Sequence, residues 1–203
     1  RMVYAEFPGT QTIAEEALIC RVPTNLSLNE ASTLPVVYCT ALHGLKNLAQ
    51  LKKGERVLIH AGAGGVGLAA IYIAKHIGAE VFATASEKKR DYLRKIGVEH
   101  VFDSRSLDFA QEIRRVTGGA GVDVVLNSLA GEFITTSMAL LNPGGRFIEI
   151  GKADIWSPDR VKAFRDDISY EAFDLVVVTL QNPLALKALM DEIVENVEAG
   201  HYK

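Results

Sequence analysis

The spacing of apolar and polar positions changes character along this chain. From Arg56 onward, short runs rich in β-branched residues alternate with longer stretches whose apolar residues return every third or fourth position. The runs predict strands at Arg56–His60, Glu80–Thr84, His100–Val101, Val122–Asn127 and Arg146–Ile150. Most are continuously apolar, the pattern of parallel strands covered by helices on both faces. Helical periodicity fills the intervals, at about Gly65–His76, Glu87–Lys95, Asp108–Val116 and Gly131–Leu141. Gly78, Gly97 and Gly118 stand where three of these helices would stop. Repeated β-α units predict an α/β fold, an open, doubly wound parallel sheet.

The first fifty or so residues follow a different rhythm. TIAEEALICRVP, from Thr12, reads as a strand ending at Pro23. SLNE, Ser27 to Glu30, is a capping box that should start a helix. A second helix is expected after Pro35, through VVYCTALHGLKNLAQ, before a Lys53-Gly54 turn. Near the other end Pro183 can open a helix running through Leu184–Ala199.

Composition narrows the function classes. The chain has 203 residues, 48% of them hydrophobic, ample for one large domain or one domain with an appendage. Apolar runs such as DVVL and LVVVTL are too short to cross a bilayer, so no membrane role is expected. Net charge is −3, from 22 Lys plus Arg against 25 Asp plus Glu. Neither sign forms a long block, so no nucleic-acid partner is expected. Cys20 and Cys39 lack a paired Cys-x-x-Cys spacing, which argues against a zinc site or a disulfide framework. A reducing, cytoplasmic setting without a metal follows. No targeting segment opens the chain, and its start at Arg1 suggests a piece of something longer.

The candidate chemistry begins at HAGAGGVG, His60 to Gly67. Gly62-x-Gly64-x-x-Gly67 follows a strand and opens a helix, the context of a Rossmann-type dinucleotide turn. Uncovered N–H groups at a helix N-terminus attract phosphate, and glycines let a pyrophosphate approach the backbone. Gly62, Gly64, Gly65 and Val66 are the candidates, with Gly67 serving helix-on-sheet packing. A tight turn without a ligand is the plainer alternative. An NAD site would place an acid at the end of the next strand to bind the ribose hydroxyls. That zone reads ATASEKKR, with Ser86 where the acid would stand, followed by Lys88, Lys89 and Arg90. A hydroxyl with cations suits a 2′-phosphate, hence NADPH. The same residues could be a solvated helix start, with Glu87 read as the acid. His60 reads as a packed or hydrogen-bonded strand-end residue, and Trp156, Tyr38 and Tyr72 as packing residues.

Three further stretches carry a family likeness: GVDVVLNSLAGE (Gly121–Glu132), LNPGGRFIEIGKADI (Leu141–Ile155) and ISYEAFDL (Ile168–Leu175). With them the chain, from about LPVVYCTALHGL to the last helix, resembles the enoyl reductase domains of modular polyketide synthases and animal-type fatty acid synthases. These form a zinc-free branch of the medium-chain dehydrogenase/reductase superfamily. The resemblance implies NADPH-dependent reduction of an α,β-unsaturated thioester borne on the phosphopantetheine of an acyl carrier protein, among neighbouring synthase domains. Hydride would go to Cβ and a proton to Cα, with donors near the thioester oxygen stabilising its developing charge.

The resemblance also implies site residues. Lys152 and Asp174 correspond to a lysine and an aspartate proposed to act at the substrate; from the residues alone they read as a loop lysine and a turn or ion-pair residue. Asn127, Ser128, Leu129, Ile150 and Gly151 would lie along the nicotinamide, with Thr40 approaching it. Ser104 and Arg105 would reach the adenosine phosphate. A complete reductase has a second, mostly β, substrate-binding (GroES-like) domain. Here residues 1–27 would be its remnant and 28–203 the NADPH-binding domain. The fragment is therefore expected to bind NADPH with little or no turnover. The other readings are a stand-alone NADPH quinone or alkenal reductase, and a non-catalytic dinucleotide-binding domain.

Overall fold

The computed structural model describes Met2, Val3 and residues 14–203. Six parallel strands form its main sheet: β3 (Arg56–Ile59), β4 (Glu80–Ala85), β5 (His100–Asp103), β6 (Val122–Asn127), β7 (Leu141–Glu149) and β8 (Ser169–Ala172). Their order is β5-β4-β3-β6-β7-β8, so the chain winds outward from β3 in one direction and from β6 in the other. The expected doubly wound sheet is present. Helices α3 (Gly65–Ile77), α4 (Glu87–Lys95), α5 (Phe109–Val116) and α6 (Glu132–Leu140) connect the first five of these strands.

Strand side chains alternate between two buried clusters, which is why the strands read as continuous apolar runs. Val57, Ile59, Val124, Leu126 and Ile148 face α2 (Leu34–Leu42), α3 and α9 (Pro183–Glu198). Leu58, Phe82, Val125 and Phe147 face the other way, with Phe109 and Ile113 of α5 and Ile134 and Met138 of α6. Gly78 ends α3 in the left-handed conformation at φ +86°, as its position predicted. The Ser27–Glu30 capping box closes in both directions and starts α1 (Leu28–Ser32).

Several elements differ from expectation. Of the predicted strand TIAEEALICRVP, Thr12 and Ile13 lie outside the described residues, as do Arg1 and residues 4–11 of the expected remnant. The rest is a 3₁₀ turn over Glu16–Leu18 and a two-residue strand, β2 (Ile19–Cys20), paired antiparallel with β1 (Met2–Val3). Pro23 follows closely and has no N–H to extend the pairing. The helix expected through Gln50 is α-helical only to Leu42, then π-helical over His43–Leu48. Gly44 lies there against β7, where a Cβ would meet Ile148 at 3.2 Å; the wider turn accommodates that approach.

Strand β7 starts at Leu141, five residues before the predicted start. Its register on β6 shifts between Val122 and Val124. The Asn142 side chain bridges the irregularity, accepting from Gly121 N at 2.9 Å and donating to Asp123 Oδ1 at 2.8 Å.

Besides the two-residue β1, three elements had no counterpart in the sequence reading: α7 (Pro158–Phe164), β8 and α8 (Leu175–Gln181). The run LVVVTL is helical despite three valines. Asp174 caps its first turn, Leu175 and Thr179 form a buried i,i+4 face, and Asn182-Pro183 ends it.

Candidate functional site

The C-terminal ends of β3 to β7 line one edge of the sheet. The winding reverses between β3 and β6, and open α/β sheets bind ligands outside the strand ends at such a switch point. The glycine turn leaves β3 there. Ala61 adopts φ +50°, Gly62 N donates to Thr84 O at 2.8 Å, and Gly64 N donates to Ala61 O at 2.8 Å. The turn is thereby fixed to β4 and to itself.

The glycines divide by what surrounds them. A Cβ on Gly67 would lie 2.4 Å from Ala61 O and 2.7 Å from Gly62 Cα, and one on Gly62 would lie 3.0 Å from Ala83 Cβ. These two permit packing of turn, helix and strand. Gly64 is the N-cap of α3 and has no side chain to cap it, while Gly65 is exposed and a Cβ on it would lie 2.9 Å from Val37 Cγ1 of α2. The first N–H groups of a helix lack partners within it. Beside the side-chain-free surface of Gly64 and Gly65 they form a cradle that fits a pyrophosphate. Val66, half-buried, follows in the first turn.

At the ends of β4 and β5 a second group gathers. Ser86 is the N-cap of α4, and its side chain makes no capping bond. Ser104 N donates to Ala85 O at 3.2 Å, which pins the two strand ends together. The Arg90 guanidinium stands 3.9 Å from Asp103 Oδ2, and Arg105 N donates to Asp103 Oδ1 at 2.9 Å. Ser86, Arg90, Ser104 and Arg105 thus share one corner, with Lys89 exposed on α4. Asp103, an acid beside the expected phosphate position, was missed in the sequence reading. It stands in VFDSR directly before the serine and arginine that were singled out.

Across the switch point, the ends of β6 and β7 are joined by a buried pair. Asn127 Nδ2 donates to Glu149 Oε2 at 2.6 Å and to Leu129 O at 2.7 Å. Leu129 N donates back to Asn127 Oδ1 at 3.2 Å, and Gly151 N donates to Glu149 Oε1 at 2.6 Å. Ile150 N donates to Asn127 O at 2.9 Å, and Ser128 is exposed between them. Burial pushes the Glu149 carboxyl up to about 7, against the hydrogen bonds from Asn127 and Gly151. Glu149 was also missed, although a charged residue inside the apolar run RFIEI is the signal that marks it.

Beyond Gly151, Lys152 Nζ reaches Asp174 Oδ2 at 2.6 Å. The other Asp174 oxygen caps α8, accepting from Val176 N at 2.9 Å. The Lys152 hydrogen bond, seconded by the Val176 N–H, holds the Asp174 carboxyl below its usual range. Lys152 is 75% exposed and Asp174 36%, so the pair faces outward. Thr40 stands apart from these groups. It is half-buried on α2, its hydroxyl donating to Val36 O at 2.7 Å, one turn beyond Val37, the side chain a Cβ on Gly65 would meet.

His60 is buried between Thr84 Oγ1 at 3.0 Å and Ser137 Oγ at 2.8 Å. Burial lowers it to about 3, which makes it a neutral, packed histidine, as read. Tyr38 and Trp156 are likewise buried and Tyr72 half-buried. Among the described residues no three His, Cys, Asp or Glu side chains gather as a metal site. None of the described helices is long and apolar enough to cross a membrane.

A glycine turn at the switch point, flanked by polar strand ends, defines a nucleotide-binding α/β domain. Comparison with known proteins agrees: the zinc-binding dehydrogenase family matches residues 65–195. The chain belongs to the enoyl reductase domains of polyketide synthases, within the medium-chain dehydrogenase/reductase superfamily. It is 46% identical over 189 residues to the phenolphthiocerol synthesis polyketide synthase type I Pks15/1 of Mycobacterium marinum, covering 92% of this chain and 9% of that synthase. The crystal structure of CurK enoyl reductase is 48% identical with a TM-score of 0.91, over 94% of this chain and 57% of that one. The nucleotide-binding subdomain of the enoylreductase domain of PpsC from Mycobacterium tuberculosis is 45% identical with a TM-score of 0.76. That match covers 84% of this chain and 97% of the other.

Proposed function

We propose that this chain is the cofactor-binding half of an NADPH-dependent enoyl reductase acting on an α,β-unsaturated thioester carried by an acyl carrier protein. The observation that carries the reading is the Lys152–Asp174 pair, joined at 2.6 Å just past β7, on the same sheet edge as the glycine turn. Gly64, Gly65 and Val66 would hold the pyrophosphate. Ser86, Lys89, Arg90, Ser104 and Arg105 would take the 2′-phosphate end. Asn127, Ser128, Leu129, Ile150 and Gly151 would border the nicotinamide, with Thr40 approaching from α2. NADPH, when bound, supplies the hydride for Cβ.

Hydride addition at Cβ pushes electron density onto Cα and the thioester oxygen. A cation beside that oxygen lowers the barrier, and a proton must reach Cα to complete the saturated product. The Lys152 ammonium can do both, stabilising the enolate charge and giving up one proton. Asp174 is fixed by the α8 N–H, so it presents an oriented carboxylate that aims the lysine.

Two measurements test the reading. The 203-residue chain should bind NADPH at least tenfold more tightly than NADH, and Lys89→Glu should remove most of that preference. Equal affinities would refute the 2′-phosphate assignment. In a complete reductase, Lys152→Met should lower reduction of a crotonyl thioester by about 10²-fold or more, the scale of a lost general acid, with NADPH affinity retained. Unchanged turnover would refute Lys152 as the proton donor.

A further inference from the structure

Glu149 has no part in the reaction just described, yet it is 1% exposed at the cofactor edge of the sheet. A carboxylate in that position costs free energy unless its oxygens are matched to donors. Here each oxygen accepts one short bond, Oε1 from Gly151 N and Oε2 from Asn127 Nδ2, both at 2.6 Å. The Asn127 amide has its orientation set by this contact. With Nδ2 toward Glu149, it also closes the turn onto Leu129 through both its oxygen and its nitrogen. Gly151 is equally specific, since a Cβ there would lie 2.7 Å from Glu149 Oε1. A single side chain therefore ties the turn after β6 to the turn after β7.

We propose that Glu149 is a positioning residue for the nicotinamide end of the cofactor site, its carboxylate clamping residues 127–129 and 150–152 into one surface. The proposal rests on the NADPH reading above. Hydrogen bonds to an ionised acceptor are about twice as strong as neutral ones, so the clamp is tightest when Glu149 is charged. It loosens on protonation, which burial brings into the neutral range at about 7. The titratable groups that act on Glu149 are Asp154 in the following turn and Tyr170 on β8. Arg160 of α7 pairs with Asp154 at 3.2 Å. Glutamine cannot replace the carboxylate, because its –NH₂ would face either the Gly151 N–H or the Asn127 –NH₂.

The test compares two ligands on the whole chain. NADPH needs both ends of the site, whereas 2′,5′-ADP needs only the adenosine-phosphate end. Because its 5′-phosphate monoester titrates where the pyrophosphate of NADPH does not, each NADPH/2′,5′-ADP ratio is referred to the same ratio in Glu149→Gln at that pH. Referred to Glu149→Gln, the preference of the unmodified protein for NADPH over 2′,5′-ADP should rise several-fold from pH 6 to pH 8. In Glu149→Gln, NADPH affinity at pH 8 should fall about tenfold, converge on the unmodified value near pH 6, and leave 2′,5′-ADP affinity within twofold. Asn127→Asp added to Glu149→Gln restores an acceptor facing a donor and should recover part of the loss. A preference that stays flat between pH 6 and pH 8 once referred to Glu149→Gln overturns the proposal. So does a variant that binds NADPH normally at pH 8, or one that loses 2′,5′-ADP as severely as NADPH. Failure of the unmodified chain to bind NADPH at all would overturn the cofactor reading, and this proposal with it.

Discussion

Replacing Gly67 by alanine isolates what the glycine turn needs for folding from what it offers a ligand. The new Cβ would stand 2.4 Å from Ala61 O, 2.7 Å from Gly62 Cα and 2.8 Å from Gly62 C. All three are backbone atoms of a turn already bonded to Thr84 O and to itself, so no rotamer change relieves the clash. The turn or the start of α3 must move by on the order of 1 Å, at the upper end of overpacking costs, about 3 kcal/mol. For a domain of this length that lowers Tm by roughly 6–12 °C, measurable by calorimetry or circular dichroism. Gly64→Ala is the control. Its Cβ would meet Ala61 O at 3.2 Å, and φ −89°, ψ 170° is backbone that alanine adopts freely. Its Tm should fall by no more than about 3 °C, corresponding to about 1 kcal/mol, while NADPH affinity falls because a methyl group occupies the cradle. A Gly67→Ala protein melting within 2 °C of the unmodified one would refute the packing argument. Equal losses of Tm in the two variants would refute the division of roles.

Other predictions follow from the far side of the switch point. Asp174→Asn keeps a competent N-cap for α8 but removes the charge facing Lys152. Stability should change by less than about 1 kcal/mol, while kcat for enoyl reduction in a complete reductase drops about tenfold at constant NADPH affinity; unchanged kcat would refute the aiming role. Glu149 gives a pH dependence of stability. Its folded value of about 7 lies above the ordinary 4.5, so the folded state binds its proton more tightly than the unfolded state does. That stabilisation is complete below pH 4.5 and is lost as pH rises through 7, a change of about 3 kcal/mol. Urea unfolding at pH 5.5 and pH 8 should show a decline in the unmodified protein that Glu149→Gln reduces; equal declines would refute the buried-carboxylate argument.

What the sequence disclosed depended on how local the causes were. Five of the six strands of the main sheet lie between helices, so their apolar runs stood out, whereas the mostly exposed SYEA edge strand did not. Gly78 marked a helix end because its φ demands it. The SLNE box needed only four consecutive residues. The region after Ile155 was less legible. The valines of LVVVTL favour a strand locally, and the helix there depends on capping by Asp174, the stop at Pro183 and a buried Leu175–Thr179 face. The π-helical turn at His43–Leu48 reflects contact with β7, a hundred residues away. At the site, the glycine turn announced itself by spacing. Lys152 and Asp174 became candidates only through family resemblance, since nothing in their spacing shows that β8 brings them together. Glu149 left a visible mark, a charge inside a buried strand, but its partner Asn127 sits on a different strand.

The Lys152–Asp174 contact is also informative for what it does not do. An exposed ion pair contributes about 0–1 kcal/mol, and with Lys152 75% exposed this one adds little to folding. The segment that carries the lysine is held by other means. Glu149 fixes Gly151, Asp154 accepts from Gly131 N at 3.3 Å and pairs with Arg160, and Trp156 N donates to Tyr170 Oη at 3.1 Å. Arg160 also lies 3.7 Å from the centre of the Trp156 ring. From Glu149 to Trp156 the backbone is braced against β6, β8 and α7, while the lysine ammonium extends from it into solvent with one oriented partner. An exposed cation on a braced backbone fits the role proposed for Lys152, giving up a proton to a substrate beyond the sheet edge.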